Sequence, residues 1–308
     1  MINLVTGGAG LIGSHLIYEL LKRDEKVICL DNFHTGSQFN VERFNNEINY
    51  QFINHNVINP IFLKADKIWH LASPASPIKY QKDPILTTKI NVFGSINMLE
   101  VARKNNAKIL LASTSEIYGN PKENPQKEDY YGYVNNLGKR SCYVESKRLS
   151  ESLFFDYMRT YNLDIKIARI FNTYGPGMRR DDGRVISNFI NQAMTNKKIT
   201  IFGNGKQKRC FCYVKDMIEG ILKLMDSNYR GAVNLGNPKE EFEINELGKL
   251  ITSKINKKFE INKLFEREDE PQIRKPDISL AKDLLKWNPK VGIDQGLEKT
   301  IAYFYSVS

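Results

Sequence analysis

The chain carries few cysteines: Cys29, Cys142, Cys210 and Cys212 are all it has, and no two form a Cys-x-x-Cys pair. That leaves no disulfide framework and predicts reduced thiols in a cytosolic protein. No stretch approaches the ~18 apolar residues of a membrane span, and Met1-Ile2-Asn3-Leu4-Val5 runs directly into a glycine motif, so a soluble, untargeted, cytoplasmic protein is expected. There is no internal repeat, low-complexity tract or long linker. Nor is there a run of five or more basic residues, although 45 Lys and Arg outnumber 35 Asp and Glu for a net +10. Scattered in this way, the basic excess reads as solvated surface; no nucleic-acid or membrane partner and no metal are expected. With 41% hydrophobic and 11% aromatic residues, disorder is excluded. The 308 residues suit two domains at ~100–200 residues each.

Short apolar runs alternate with longer amphipathic segments through the first half. Strands are predicted at about Asn3–Thr6, Lys26–Leu30, Tyr50–Ile53, Lys67–His70, Lys108–Ser113 and Lys166–Ile170, with another near Ala232–Leu235. Helices fit Leu11–Arg23, Pro84–Asn105 and about Lys139–Tyr161. This alternation predicts an α/β protein with a doubly wound, Rossmann-type parallel sheet. After Arg169 the chain turns rich in Gly, Pro and charge, which marks a smaller α/β region. The expected division is a cofactor domain, 1–172 with 214–236 returning to the sheet, and a substrate domain, 173–213 with 237–308, sharing a cleft.

The strongest local signal is Thr6-Gly7-Gly8-Ala9-Gly10-Leu11-Ile12-Gly13, between the first strand and the first helix. Glycines at 7, 10 and 13 let the backbone approach a pyrophosphate at a helix N-terminus that offers unpaired N–H groups and partial positive charge. Asp31 closes the second strand ~20 residues on, where a carboxylate accepts the ribose hydroxyls of NAD and repels a 2′-phosphate. Asn32, Thr35 and Gly36 form a polar loop beside it.

Tyr143 and Lys147 form a Tyr-x-x-x-Lys pair on one helical face. A cationic Lys beside the phenol favours phenolate and so a general base. Ser113-Thr114-Ser115-Glu116 lies past the carboxyl end of a central strand, the edge where open sheets bind ligands. Thr114 and Ser115 bring hydroxyls, and Glu116 a carboxyl able to manage a proton.

Together these stretches resemble the extended short-chain dehydrogenase/reductase group of NAD-dependent sugar-nucleotide epimerases and dehydratases, and within it the branch that decarboxylates UDP-glucuronate. Thr6–Leu16, Asp31–Phe33, His70–Pro77, Leu111–Gly119, Ala168–Pro176, Asp182–Val185, Asn234–Pro238 and Arg274–Asp277 carry the resemblance over nearly the whole chain. It implies a carboxy-lyase with tightly bound NAD, converting UDP-glucuronate to UDP-xylose through a 4-keto intermediate and regenerating NAD. Tyr143, Lys147, Thr114, Ser115, Glu116 and Arg274 would be catalytic. Cofactor contacts would extend to Asn56, Val57, Leu71, Ala72 and Ser73, and the nucleotide sugar would meet Asn172, Asn188, Arg209 and Arg274. The resemblance also implies a homodimer, with the two long helices and their symmetry mates in a four-helix bundle.

Dehydratases of the group carry Thr-Asp-Glu where this chain has Thr114-Ser115-Glu116, so Ser115 argues against water elimination. Glu116 and Arg274 share two tasks, positioning the carboxylate and handling the proton at carbon 5, without a unique assignment. Asn56 replaces the usual Asp after His55, Ser146 replaces Gly before Lys147, and Val144-Glu145 replaces Asp-Glu. Met178-Arg179-Arg180 and Cys210-Phe211-Cys212 also differ from the common versions. The alternatives are another epimerase or 4,6-dehydratase, a decarboxylase releasing the 4-keto sugar with NADH, or a nucleotide-sensing or RNA-associated protein.

Overall fold

Alternate residues of each apolar run point to opposite faces of a strand, and here both faces are buried. Val5, Trp69, Leu110 and Ala168 belong to a core on one side of the sheet; Leu4, Ile68, Ile109, Leu111 and Ile167 belong to a core on the other. That double burial explains why the strands read as continuous apolar runs.

A computed structural model describes residues 1–266 and 269–307. Arg267, Glu268 and Ser308, which fall in the second region drawn from the sequence, lie outside the described residues. The first part of the chain runs β1 (Ile2–Thr6), α1 (Leu11–Leu21), β2 (Lys26–Asp31), α2 (Phe39–Glu42), β3 (Tyr50–Asn54) and β4 (Lys67–His70). It continues through α3 (Pro77–Lys82), α4 (Pro84–Asn105), β5 (Lys108–Thr114), α5 (Ser141–Tyr161) and β6 (Ile165–Ile170). The strand Ala232–Leu235 completes a seven-stranded parallel sheet in the order Ala232–Leu235, β6, β5, β4, β1, β2, β3. The predicted strands agree to within one residue; α1 stops two residues early and α5 starts two residues late.

Local chemistry sets the ends of the long helices. Asp83 caps α4 by accepting the Leu86 N–H at 2.9 Å, Pro84 fills its first position, and Asn106 ends it in the left-handed region at φ 50°. Asn162, at φ 53°, ends α5. From β1 the chain visits β2 and β3 on one side, then β4, β5 and β6 on the other, so the order reverses between β1 and β4. The crevice at the carboxyl ends of the strands, beside Thr6, Asp31, His70 and Thr114, is where such a sheet receives ligands.

The later part adds α6 (Val185–Met194) and α7 (Val214–Asp226), the latter packed on α1. A small sheet joins Glu241–Glu243, Lys208–Cys210 and Ile273–Arg274, and its register sets Arg274 directly beside Arg209. Among the described residues, no helix is long and apolar enough to cross a membrane.

Candidate active site

Gly7 takes φ +72°, and a Cβ there would stand 2.7 Å from the Ala72 backbone nitrogen; a Cβ on Gly13 would strike the Gly7 carbonyl. Glycine is therefore required to bring β1, α1 and the loop after β4 together. Gly10 differs: within 4 Å its Cβ would meet only the Gly7 carbonyl, at 3.2 Å, so the backbone there borders open cleft. It precedes α1 with no side-chain cap, which leaves the helix N–H groups for a ligand. Asp31 accepts Ala9 N–H at 3.0 Å on one oxygen and Phe33 N–H at 2.8 Å on the other. Burial raises its pKa while those backbone bonds oppose the rise, and each oxygen keeps a lone pair for a ribose hydroxyl. This donor and acceptor set fits NAD.

Gly7, Gly10, Asp31, Asn32, Thr35 and Gly36 line one end of the cleft, with Asn56, Val57, Leu71, Ala72 and Ser73 opposite them. Leu11, Ile12 and Gly13 border the adjoining space, which reaches Thr114, Ser115, Glu116, Tyr143 and Lys147. The Asn56 side-chain oxygen accepts Ile58 N–H at 3.2 Å and has one further lone pair. Asn97, which the sequence reading missed, donates from α4 to the Val57 and Ile58 carbonyls at 2.8 and 3.0 Å and fixes that wall. Thr6 fixes the floor. Its hydroxyl accepts Leu71 and Ala72 N–H, both at 3.2 Å, so its proton goes to His70 Nδ1 at 2.9 Å. Burial, aided by the charge of Lys147, lowers the His70 pKa to about 3, and the ring is neutral.

At the carboxyl end of β5, Thr114 accepts the Glu116 N–H at 3.1 Å and starts the 3₁₀ turn Ser115–Tyr118. Its hydroxyl also lies beside the Tyr143 phenol. Lys147, buried one turn after Tyr143, donates to the Ala112 carbonyl at 2.8 Å. Burial lowers its pKa to about 7, opposed by Glu151. Burial and the Glu116 charge push the Tyr143 pKa well above the usual phenol value, opposed by Thr114, Arg184 and Arg274. The phenolate expected from the Tyr-x-x-x-Lys pair is therefore not the resting form of the protein alone.

Ser146 ties this turn in place: it donates back to the Cys142 and Tyr143 carbonyls and accepts Asn91 Nδ2 at 2.8 Å. Asn91 in turn accepts Ser73 Oγ at 2.7 Å. The departure from Gly at this position thus links α5, through α4, to the cofactor wall.

The carboxyl of Glu116 has more partners than the sequence suggested. One oxygen accepts Arg140 Nη2 at 3.0 Å and Arg274 Nη1 at 3.5 Å; the other accepts the Tyr80 hydroxyl at 3.3 Å. Burial opposes its ionisation, but the Arg140 and Arg274 charges together hold its pKa below the ordinary value. Glu270 binds Arg140 at 2.6 Å and Arg209 at 2.5 Å. Burial opposes its charge too, yet Arg140, Arg209 and Arg274 bring its pKa down to about 2. Tyr80, Arg140 and Glu270 were missed because no local spacing announces them; the one available signal was an Arg three residues before Tyr143. Arg274 sits 5% exposed on a strand, and among the described residues its buried Nε has no partner.

Asn172 borders both the space beside Tyr143 and a further pocket whose lining includes Asn188, Arg209 and Arg274. Arg209 spends its fork on Glu270 and on the Pro271 carbonyl at 2.6 Å, and burial lowers its pKa to about 10. Asn188 donates to the Gly183 carbonyl at 3.1 Å, leaving its side-chain oxygen.

Residues 3–236 match the family model described as "NAD dependent epimerase/dehydratase family". The chain is 48% identical over 301 residues to UDP-glucuronic acid decarboxylase 1 of Xenopus tropicalis, spanning 98% of this chain and 71% of that protein. It is 49% identical over 295 residues to UDP-glucuronic acid decarboxylase 6 of Arabidopsis thaliana, spanning 96% and 86%. Among solved structures, UDP-glucuronic acid 4-epimerase from Bacillus cereus, in complex with UDP-glucuronic acid and NAD, superposes with a TM-score of 0.91 at 29% identity, covering 100% of both chains.

Proposed function

Because the chain belongs to the NAD-dependent epimerase/dehydratase family, an enzyme family whose cofactor is NAD, we propose that it decarboxylates UDP-glucuronate to UDP-xylose through a 4-keto intermediate. The observation that carries this reading is the carboxylate cluster past β5: Ser115 stands beside Glu116, and Glu116 is held ionised by Arg140 and Arg274 next to Tyr143. The similarity to decarboxylases over almost the full chain supports it.

Tyr143 takes the proton from the hydroxyl on sugar carbon 4, with Thr114 sharing that hydrogen bond and Lys147 supplying positive charge one turn away. Bound NAD would supply the hydride acceptor and donor for carbon 4, and a cationic ring whose field would favour phenolate at Tyr143. A 4-keto group lies β to the carboxylate, so loss of carbon dioxide leaves an enolate whose oxygen sits by the donors Tyr143 and Thr114. Arg274, with an unspent buried Nε, positions the carboxylate; Glu116, ionised, orders both guanidiniums and relays a proton from solvent water toward carbon 5. Asn172, Asn188 and Arg209 hold the uridine diphosphate, Arg209 as a buried cation whose fork stays on Glu270 and the Pro271 carbonyl.

The division into a cofactor region, 1–172 with 214–236, and a substrate region, 173–213 with 237–308, follows the same reading. The assembly is a homodimer through α4 and α5, a reading supported by Ile85, Phe93 and Leu149, which expose large apolar side chains on those helices. The four free cysteines support a cytoplasmic location.

Incubation with UDP-glucuronate and NAD tests the reading: carbon dioxide and UDP-xylose form without accumulation of free NADH. Absence of carbon dioxide overturns it. The Bacillus cereus neighbour favours a second reading, inversion at carbon 4 of the same substrate, which yields UDP-galacturonate and no gas.

A further inference from the structure

The segment between Tyr174 and Arg184 crosses the cleft and is fastened on both banks. On the cofactor bank, the Pro176 carbonyl accepts His15 Nε2 of α1 at 2.8 Å and the Gly177 carbonyl accepts Asn40 Nδ2 of α2 at 3.0 Å. Arg179 Nη1 donates to the Gly36 carbonyl at 2.9 Å. On the other bank, Asp181 accepts Lys79 Nζ of α3 at 2.9 Å. Close by, Gly183 leaves room for Ile78: a Cβ there would stand 3.0 Å from its terminal methyl. The two banks are joined by one ion pair, since Arg179 Nε and Nη2 reach the two oxygens of Asp181 at 2.8 and 3.1 Å. Between these fastenings Gly177, Met178 and Arg179 face the same space as Gly10 and Thr35, whereas Asp181 lies outside its lining. The Arg179 position is among those where this chain departs from the family pattern.

We propose that the Lys79–Asp181–Arg179 clasp determines product identity, by keeping the cofactor in the cleft until hydride is returned to carbon 4. Without retention the reaction stops half-way: UDP-glucuronate and NAD give carbon dioxide, the UDP-4-keto-pentose and NADH. The carbon 4 hydride leaves on NADH, and the hydroxyl proton is balanced by the proton gained at carbon 5. With retention the hydride returns, a second proton restores the carbon 4 hydroxyl, and UDP-xylose is released. The inference rests on the decarboxylase reading for its product, but its fastening of the cofactor stands apart from any substrate.

The test is Asp181→Ala in the full-length protein, followed by two readouts. NADH released per carbon dioxide formed rises by about fivefold or more, and the NADH dissociation rate, followed by loss of its bound fluorescence on displacement by excess NAD without sugar, rises similarly. Because the side chains of Asp181, Arg179 and Lys79 are 57%, 38% and 25% exposed, added salt speeds NADH dissociation from the wild-type protein and not from Asp181→Ala. Asp181→Glu restores retention. A variant with the wild-type NADH ratio and the wild-type dissociation rate overturns the proposal. If the wild-type protein forms no carbon dioxide, the decarboxylase reading falls, and the dissociation rates alone still judge the clasp.

Discussion

Tyr80 stacks on Tyr143, with ring centroids 4.9 Å apart and planes 2° from parallel. The same Tyr80 donates its hydroxyl to Glu116, so one residue of α3 touches both the Tyr143 phenol and the Glu116 carboxylate. The stack walls one face of the phenol from water and fixes its plane, leaving the hydroxyl edge as the working end.

Tyr143→Phe keeps that stack and removes only the hydroxyl. Turnover falls by about a thousandfold or more, while NAD and UDP-sugar affinities, measured by calorimetry, stay within a few-fold of wild type.

Lys147→Met separates stability from activity. Burial depresses the folded-state pKa of this lysine to about 7, so between about 7 and its ordinary value the unfolded chain binds the proton and the folded one does not. Stability therefore rises with pH across that window, and the cost of the buried cation is fullest below it. The variant gains on the order of 1–3 kcal/mol near pH 6, after loss of the Ala112 bond, and the gain fades toward pH 10. Thermal unfolding over that range checks it; turnover is lost throughout.

Arg140→Gln removes a cation shared by Glu116 and Glu270. Both folded-state pKa values are depressed in the wild type, so their stabilising contribution is present above the ordinary carboxylate pKa and lost as pH falls through the folded values. The variant costs about 3 kcal/mol at neutral pH. Its acid unfolding starts at higher pH, and the acidic limb of the rate profile moves the same way.

Asp31→Ala deletes the acceptor for Ala9 and Phe33 N–H as well as for ribose. NAD affinity falls by about 10- to 100-fold, and discrimination against NADP narrows because the repelling charge is gone. Titration with both dinucleotides measures the change.

The glycine turn and the Tyr-Lys pair were legible because their parts are local. Gly7, Gly10 and Gly13 sit in one turn, Asp31 ends the adjacent strand, and Tyr143 and Lys147 share one helical face. Buried strands written as continuous apolar runs disclosed the sheet to within a residue. The carboxylate cluster was only half legible, because it is assembled across the chain: Tyr80 comes from α3, Arg140 from the start of α5, and Glu270 from near the small sheet. Arg209 and Arg274 became neighbours through strand register, a relationship with no trace in spacing. The surroundings of Tyr143 left no local signal either, because burial, Glu116 and Thr114 act on the phenol through tertiary packing.

The strand Ala232–Leu235 has a consequence for how the chain can be divided. It shields the outer edge of β6 along Ile167–Ile170, yet it arrives only after Tyr174–Tyr213 and α7 have been laid down. A fragment ending at Asn172 would present that edge as a bare row of N–H and C=O groups, the kind of template that recruits other chains into aggregates. The nucleotide fold therefore matures late in synthesis, and its solubility depends on sequence far beyond its own motifs.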